Sequence, residues 1–197
     1  MGRKPLSEEK IQETKELLFR ISNRMIQQKG LESLNIRALC KEAGISYSSF
    51  YQYYDSKDDL IAEKIDALDE YILKNRESRL CSEDTLANIR EFIRIYAEFS
   101  GTRRYQIIRE IYRIQLTNYT IRDTITHRPL FTVLSDIVQQ GLDSNQIRKD
   151  LSKEEIMEMI LSYCKGMTFE WSLHEGNFDL SAFAANSSSV WVQCLKA

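Results

Sequence analysis

Residues 35–60 read NIRALCKEAGISYSSFYQYYDSKDDL, and this stretch has the pattern of two short helices joined by a turn. Its first part carries four apolar side chains at the spacing of one face of a short helix, namely Ile36, Leu39, Cys40 and Ala43. Gly44 should end that helix, because glycine readily takes the left-handed conformation that a tight turn between helices requires. The stretch therefore predicts a short helix followed at once by a turn.

A second short helix follows the turn. Ser46 is suited to cap it, because a serine hydroxyl accepts hydrogen bonds from the first backbone N–H groups of a helix. Phe50 and Tyr54 would share one face, which can be buried. The opposite face carries polar side chains, namely Tyr47, Ser48, Tyr51 and Gln52. Two short helices joined by a glycine-containing turn predict a helix-turn-helix, whose second helix enters the DNA major groove.

The polar face of the second helix has two interpretations. Its hydroxyl and amide groups can bind base edges or phosphates, and a tyrosine ring can contact a thymine methyl group. The alternative is a plain helical hairpin in an all-helical core, with its polar face in water. The side-chain chemistry favours the DNA-binding interpretation.

Residues 43–60, AGISYSSFYQYYDSKDDL, resemble the helix-turn-helix of TetR-family transcriptional regulators. The features that carry the resemblance are Ala43 and Gly44 before the turn, Phe50 and Tyr51 in the second helix, and Tyr54, Ser56, Lys57 and Leu60 after it. The resemblance covers the first third of the chain. Beyond it, only chain length and helical layout agree with the family.

The resemblance implies a set of DNA contacts. In the family, the positions that match Tyr47, Ser48 and Ser49 read bases. Those that match Asn35, Ser46, Tyr51, Tyr53 and Lys57 hold phosphates. Gln52, on the outward face, completes the expected set. The chain has Asn35 where threonine is usual, Tyr47 where lysine or arginine is common, and Ser48 where glycine is common, so the operator sequence cannot be inferred.

The composition predicts an all-α fold. The chain has 197 residues, of which 43% are hydrophobic and 28% are charged, and it holds only two Pro and seven Gly. No alternating strand-like run is bounded by turn residues. With the resemblance, we expect about nine helices: a three-helix DNA-binding head over residues 1–57, then a helical ligand-binding and dimerisation body over residues 58–197.

Apolar spacing places the other helices of the chain. The first should run from Ser7 to about Lys29, and a fourth of roughly 23 residues (about 35 Å at 1.5 Å per residue) should begin at Asp55 and Ser56. The fifth should end at Gly101, and the sixth should carry Ile107 to Ile114. The last three predicted helices run from near Ile121 to Leu142, from Ser152 to about His174, and from Leu180 onward. Pro129 should kink or divide the seventh.

The net charge of −2 argues against a nucleic-acid-binding protein, but the charge is unevenly distributed. Residues 1–57 hold ten Lys and Arg against seven Asp and Glu, while the rest of the chain holds 17 against 22. The basic excess therefore lies with the helix-turn-helix and supports it weakly.

Several classes of protein are not expected. No run approaches the roughly 18 apolar residues of a membrane helix, and the N-terminus lacks the apolar segment of a signal peptide, so we expect a cytoplasmic protein without membrane contact. The four cysteines have neither metal-site nor redox-pair spacing, namely Cys40, Cys81, Cys164 and Cys194. No catalytic motif is present, and His127 and His174 belong to no metal motif. We therefore expect that the protein is not an enzyme and binds no metal or cofactor. We also expect Cys40 and Cys164 to be buried.

The resemblance also implies a small-molecule effector held between the middle helices of the body. Five aromatic residues could line an apolar cavity there, namely Tyr96, Phe99, Tyr112, Phe131 and Trp171. Aromatic residues at helical spacing are also typical of plain core, and this alternative stays open. A polar anchor could come from Arg104, Arg109, Arg113 or His127.

The function implied is a ligand-responsive repressor that binds a palindromic DNA operator as a homodimer. In the family, the last two helices pair with those of a second copy, and a two-fold DNA reader needs a dimer. The alternative for these helices is that they only close the core of a monomer. The alternative for the whole chain is a DNA-organising or partner-binding protein of the same architecture without an inducer.

Overall fold

The computed structural model of the chain describes residues 7–117 and 128–197. Within them lie nine α-helices and no β-strand, so the expected all-α class is confirmed. The helices are α1 (Glu8–Lys29), α2 (Ile36–Ala43), α3 (Tyr47–Phe50), α4 (Lys57–Arg79), α5 (Thr85–Gly101), α6 (Tyr105–Thr117), α7 (Pro129–Asp143), α8 (Lys153–Leu173) and α9 (Leu180–Trp191). Short 3-10 turns occupy Leu31–Ser33 and Val192–Leu195.

The chain forms two compact units, divided between Glu63 and Lys64. This division falls inside α4, six residues after the boundary expected from the sequence. The first unit contains α1 to α3 and the start of α4. The second contains the remainder of α4 and the other five helices.

The helices of the first unit begin at the residues that the sequence predicts. Ser7 caps α1 by accepting a hydrogen bond from the Lys10 N–H, and the Asn35 side chain caps α2 by accepting one from the Ala38 N–H at 2.8 Å. Buried apolar side chains hold the helices together, namely Leu18, Ile21, Ile26, Leu34, Leu39, Phe50, Leu60 and Ile61. The first unit thus has a core of its own.

The turn between α2 and α3 depends on Gly44. Its φ of 69° and ψ of 24° are left-handed, which is the conformation expected for this position. The Ile45 N–H donates to the Cys40 carbonyl at 3.0 Å and closes the end of α2. Ser46 then begins α3 by accepting a hydrogen bond from the Ser49 N–H at 3.0 Å. A glycine and a cap therefore set the direction of α3.

Tyr54 fixes the chain just after α3. Its hydroxyl donates to Glu63 Oε2 at 2.6 Å, and Lys15 Nζ lies 3.3 Å from Glu63 Oε1 and 5.0 Å from the Tyr54 ring centre. Burial, followed by the hydrogen bond to Glu63, raises the pKa of Tyr54. The tyrosine therefore stays a neutral donor and joins α1 to the first turns of α4.

The core of the second unit is built around α5, which packs against α7, α8 and α9. Phe92, Ile89 and Ile93 are fully buried on this helix. The end of α4 is joined to α5 by ion pairs: the Arg79 guanidinium lies 2.5 Å from Glu91 Oε1 and 2.6 Å from Glu98 Oε2. Apolar packing and these ion pairs together hold α4 to α5.

Pro129 is the first residue of α7. Proline suits this position, because the N–H that it lacks would have no helical partner there and its fixed φ suits a helix start. Of the predicted seventh helix, the part from Ile121 to His127 lies outside the described residues. The described part begins at Pro129, so the proline marks a boundary and not a kink within α7.

The remaining helices begin and end close to the predicted positions. A capping box begins α8. The Ser152 side chain accepts a hydrogen bond from the Glu155 backbone N–H, and the Glu155 side chain accepts one from the Ser152 backbone N–H. Cys40 and Cys164 are buried, as expected, and Cys81 and Cys194 are exposed. Along residues 7–117 and 128–197, every helix is too short or too polar to span a bilayer.

The packing of α7 yields a stability prediction. A Cβ atom added at Gly141 would lie 2.5 Å from Thr85 Cγ2 and 2.9 Å from Ile147 Cδ1. We expect Gly141→Ala to lower the free energy of unfolding by about 1–3 kcal/mol, because atoms added to a packed core force neighbouring side chains out of their rotamers. Urea unfolding followed by circular dichroism measures this change.

Gly101→Ala is the matched control. There the added Cβ would meet Leu180 Cβ at 3.8 Å, an ordinary contact. Since alanine favours helix over glycine by about 1 kcal/mol, this variant should be as stable as the wild type or slightly more stable. Equal stability of the two variants would contradict the close approach of α7 to Thr85.

Candidate functional site

The two faces of α3 differ as the spacing predicts. Phe50 is fully buried and Tyr54 is 4% exposed, whereas Tyr47 and Tyr51 are 46% and 45% exposed. Two neighbouring aromatic rings on one face offer both apolar area and hydroxyl groups to a partner. The outward face of α3 is thus a candidate contact surface.

Tyr47 and Tyr51 form one hydrogen-bonded pair on this surface. Their hydroxyl oxygens lie 2.8 Å apart, and their rings meet edge to face with centroids 5.4 Å apart. The hydrogen bond to Tyr47 is the largest cause that raises the pKa of Tyr51. The Arg37 guanidinium lies 5.7 Å from the centre of the Tyr47 ring. Arg37 was not among the expected contacts, although its place in the first turn of α2 puts it near α3.

The other expected DNA contacts lie around this pair. Ser48 and Gln52 are exposed, while Ser49, Tyr53 and Lys57 are half-buried. The Ser46 hydroxyl lies 2.9 Å from that of Ser48 and 2.7 Å from that of Ser49. Asn35 and Ser46 use their side-chain oxygens as helix caps, which leaves the Asn35 amide group free of that role. Hydrogen bonds thus link Ser46 with Ser48 and Ser49, and Tyr47 with Tyr51, at the start of α3.

The second unit contains an apolar cavity of about 60 Å³. Four of the five expected aromatic residues line it, namely Tyr96, Phe99, Tyr112 and Phe131. Apolar side chains from four helices complete most of the wall, namely Leu68, Ile108, Ile111, Leu130 and Leu161. The cavity therefore lies between α4, α5, α6, α7 and α8.

The prediction that Trp171 lines the cavity is wrong. Its indole Nε1 donates to the Phe178 carbonyl at 2.9 Å, and its ring lies 3.2 Å from the position that a Cβ on Gly176 would take. A buried indole N–H needs an acceptor, and the turn after α8 supplies one. Trp171 therefore stabilises the α8–α9 turn and does not line the cavity.

A buried ion pair that the sequence analysis missed adjoins the cavity. Arg128, which lines the cavity, donates from Nε to Asp69 Oδ2 at 2.9 Å and from Nη2 to Asp69 Oδ1 at 2.7 Å. The exposed fractions of the two side chains are 12% and 6%. The sequence holds a clue, since Asp69 lies three residues before Ile72 and so shares the apolar stripe of α4.

Three of the four expected polar anchors, namely Arg104, Arg109 and Arg113, lie away from the cavity wall. Arg109 donates from Nε to the Ser172 carbonyl at 2.9 Å and from Nη2 to the Leu173 carbonyl at 3.2 Å, so it caps the end of α8. Arg104 and Arg113 are not on the cavity wall. His127 lies outside the described residues.

Two tyrosine hydroxyl groups of the cavity wall have different surroundings. Tyr112 donates to the Lys165 carbonyl at 2.8 Å, and its oxygen lies 2.6 Å from Thr168 Oγ1. Burial is the main cause that raises the pKa of Tyr112 to about 12. For Tyr96, loss of solvent around the hydroxyl is the main cause that raises its pKa well above the usual range. Both hydroxyl groups are therefore neutral at physiological pH.

An apolar surface lies on α8 and α9. Four large side chains on these two helices are 42–74% exposed, namely Phe169, Leu173, Phe183 and Val190. Phe169 and Leu173 are one helical turn apart, and Phe183 and Val190 are two turns apart, so each pair lies on one face of its helix. Exposed apolar pairs on each of these two helices are candidates for a protein–protein interface.

Family profiles match both parts of the chain. The profile described as bacterial regulatory proteins of the tetR family matches residues 21–63. That of the C-terminal region of YsiA-like proteins, a TetR C-terminal type, matches residues 63–194. The chain belongs to the TetR family. The expectation of a ligand-responsive DNA-binding repressor is confirmed by this membership, and the protein is a transcriptional regulator and not an enzyme.

Individual relatives of this TetR-family regulator are distant in sequence. The fatty acid metabolism regulator protein of Bacillus subtilis (strain 168) is 19% identical over 166 residues, which cover 81% of this chain and 84% of the relative.

Two solved structures of acyl-CoA complexes have the same fold. That of Bacillus subtilis FadR with stearoyl-CoA has a TM-score of 0.71 at 16% identity, covering 91% of this chain and 98% of the other. That of Thermus thermophilus FadR with lauroyl-CoA has a TM-score of 0.68 at 14% identity, covering 91% and 93%. TetR-family regulators bind DNA operators and small-molecule effectors and act as dimers.

Proposed function

We propose that this regulator represses transcription from a palindromic operator as a homodimer and is released from it by an acyl-CoA. The observation that carries the proposal is the apolar cavity of the second unit, because its wall includes Leu68 of α4. The same helix begins at Lys57, next to the proposed DNA contacts, so it is part of both the cavity wall and the DNA-binding unit. An operator is chromosomal DNA, which places the proposed activity in the cytoplasm.

An acyl-CoA is proposed because its apolar chain matches the chemistry of the cavity wall. The two FadR structures named above carry stearoyl-CoA and lauroyl-CoA, which supports the same ligand class here. The cavity of about 60 Å³ is smaller than the ~150 Å³ that holds benzene and the ~300 Å³ of a small ligand site. An acyl chain must therefore enlarge it.

Enlargement of the cavity is the proposed link to DNA release. Walls made by five helices can move apart only if at least one helix shifts. The shift that matters is that of α4, since a displacement at Leu68 passes along one continuous helix towards Lys57. The effector must bind more tightly to the enlarged state, because a ligand shifts an equilibrium only by its differential affinity.

The proposed DNA-binding head comprises residues 1–57, and the proposed ligand-binding and dimerisation body comprises residues 58–197. Within the head, Tyr47, Ser48 and Ser49 would read bases. Phosphates would be held by Asn35, Ser46, Tyr51, Tyr53 and Lys57, with Gln52 beside them. The exposed pair of Tyr47 and Tyr51 supports this division, because it offers both a base-contacting ring and a hydroxyl at one place.

The proposed dimer buries the apolar surface of α8 and α9 against the same surface of a second copy. A two-fold axis through this surface gives a closed dimer, which a palindromic operator requires. The DNA-organising alternative has no specific observation in its favour, whereas the cavity favours an effector.

The DNA contacts can be separated by salt dependence. Lys57 is the first residue of α4, where its charge can reach a phosphate but not a base edge. Lys57→Ala should weaken all DNA sites alike and reduce the slope of log affinity against log salt by about one. Tyr47→Ala should keep the salt slope and relax discrimination at one base pair by roughly 1–3 kcal/mol.

Fluorescence anisotropy with the operator and a set of its single-base variants, at several salt concentrations, measures both effects. The operator is first selected from genomic fragments by the wild-type protein. Each variant is the control for the other. A changed salt slope with unchanged base preference in Tyr47→Ala would show that the assignment of α3 as the base-reading helix is wrong.

The dimer is tested by two substitutions of equally accessible apolar residues. Val190 on α9 is 74% exposed and belongs to the proposed interface, while Leu116 on α6 is 81% exposed and does not. Val190→Glu should weaken dimerisation at least tenfold, because a carboxylate on each copy would be buried beside apolar side chains. Leu116→Glu should leave dimerisation unchanged.

Sedimentation equilibrium at micromolar concentration gives the two association constants. Both charges are accessible in the monomer, so neither substitution should lower its thermal stability. A monomeric wild type, or equal dimerisation by both variants, would contradict an interface on α8 and α9.

The effector is tested by operator release. Lauroyl-CoA or stearoyl-CoA should weaken operator binding, and couplings of this kind are typically about 5–150-fold. Free CoA should have little effect, because it lacks the apolar chain. By linkage, the operator should weaken acyl-CoA binding by the same factor, which calorimetry with and without the operator measures. Acyl-CoA affinity that is independent of the operator would exclude an inducer role for this ligand class.

A further inference from the structure

The Tyr96 hydroxyl is a polar group on an otherwise mostly apolar wall. Tyr96 lies on α5, is partly buried and lines the cavity. Throughout the described part of the chain, no protein group forms a hydrogen bond with this hydroxyl. A hydroxyl without a protein partner keeps its O–H donor available for a group that enters the cavity. The position therefore suits an acceptor that is brought into the cavity.

The Tyr112 hydroxyl, on the same wall, has hydrogen-bond partners within the protein. Its oxygen lies 2.8 Å from the Lys165 carbonyl and 2.6 Å from Thr168 Oγ1, so its hydrogen bonds are made within the protein. The two tyrosines share ring chemistry and line the same cavity. They differ in that only Tyr96 has a hydroxyl donor to offer.

The surroundings of Tyr96 favour a neutral acceptor over an anion. The Arg128 guanidinium already binds both carboxylate oxygens of Asp69, at 2.9 and 2.7 Å, so its charge is balanced. An additional anion would lose its hydration and meet the Asp69 carboxylate nearby. A carbonyl oxygen accepts a hydrogen bond without these costs.

We propose that the Tyr96 hydroxyl selects the effector by donating a hydrogen bond to a neutral carbonyl oxygen that adjoins the effector's apolar part. This inference rests on the proposed function, and in an acyl-CoA the acceptor is the thioester carbonyl. This hydrogen bond would make binding depend on a carbonyl oxygen, in a cavity whose other lining groups are mostly apolar. The site then distinguishes an acyl chain from an alkyl chain of the same length.

The test compares lauroyl-CoA with S-dodecyl-CoA, a thioether that has the same chain but no carbonyl oxygen. Calorimetry measures both ligands on the full-length wild type, Tyr96→Phe and Tyr112→Phe. The wild type should bind lauroyl-CoA about tenfold more tightly than S-dodecyl-CoA, because one hydrogen bond contributes about that factor in affinity. Tyr96→Phe should bind both ligands equally. Tyr112→Phe should weaken both alike and keep the tenfold ratio.

Thermal melts establish that the variants are folded. Tyr96→Phe should melt no lower than the wild type, because its hydroxyl makes no hydrogen bond with the described part of the protein. Tyr112→Phe should melt lower, because the Lys165 carbonyl and Thr168 hydroxyl lose a partner.

The outcomes separate this inference from the proposed function. A tenfold preference that persists in Tyr96→Phe overturns the role of the hydroxyl while acyl-CoA remains the effector. A preference that disappears in both variants overturns it too, because the cause would then be the shape of the cavity. If the folded wild type binds neither ligand, the acyl-CoA assignment is overturned, and this inference with it.

Discussion

The buried ion pair between Asp69 and Arg128 joins α4 to the start of α7 inside the second unit. Removing two charges from water is costly, and only good geometry with several hydrogen bonds offsets that cost. The bidentate contact meets this condition, with two N–H groups of one guanidinium directed at two oxygens of one carboxylate. It holds α4 at one rotation relative to the start of α7. Any large shift of α4 must therefore break, or carry along, this pair.

The ion pair also accounts for the presence of the charged Arg128 side chain on a cavity wall that is otherwise mostly apolar. Asp69 shares the apolar stripe of α4, so the guanidinium that binds it comes to the same wall as Leu68. With both charges balanced by each other, the rest of the lining can be aromatic and aliphatic. An unpaired charge in that place would favour ionic ligands, whereas a paired one leaves room for neutral, mostly apolar ones.

The outward surface of α3 relies on hydroxyl and amide groups and not on positive charge. Its exposed residues include tyrosine, serine and glutamine, and the chain as a whole has a net charge of −2. Phosphate attraction supplies most sequence-independent affinity, so in the proposed DNA complex a surface with few cations would gain relatively more from base contacts. The Tyr47–Tyr51 hydrogen bond limits the rotation of both side chains, which would lower the entropy cost of placing them against DNA in that complex.

Features that depend on neighbours along the chain could be predicted from the amino-acid sequence. Asn35 and Ser46 cap their helices, Gly44 makes the turn, and the two faces of α3 separate, because each depends on residues three or four positions away. Most helix limits and the family resemblance have the same local origin. Other features depend on contacts between residues that are far apart in the sequence. Asp69 and Arg128 are 59 residues apart, and Trp171 bonds the turn after its own helix instead of lining the cavity. Tyr96 and Tyr112 look alike in sequence, yet only packing gave one hydroxyl its partners, since helical spacing specifies a face but not what lies against it.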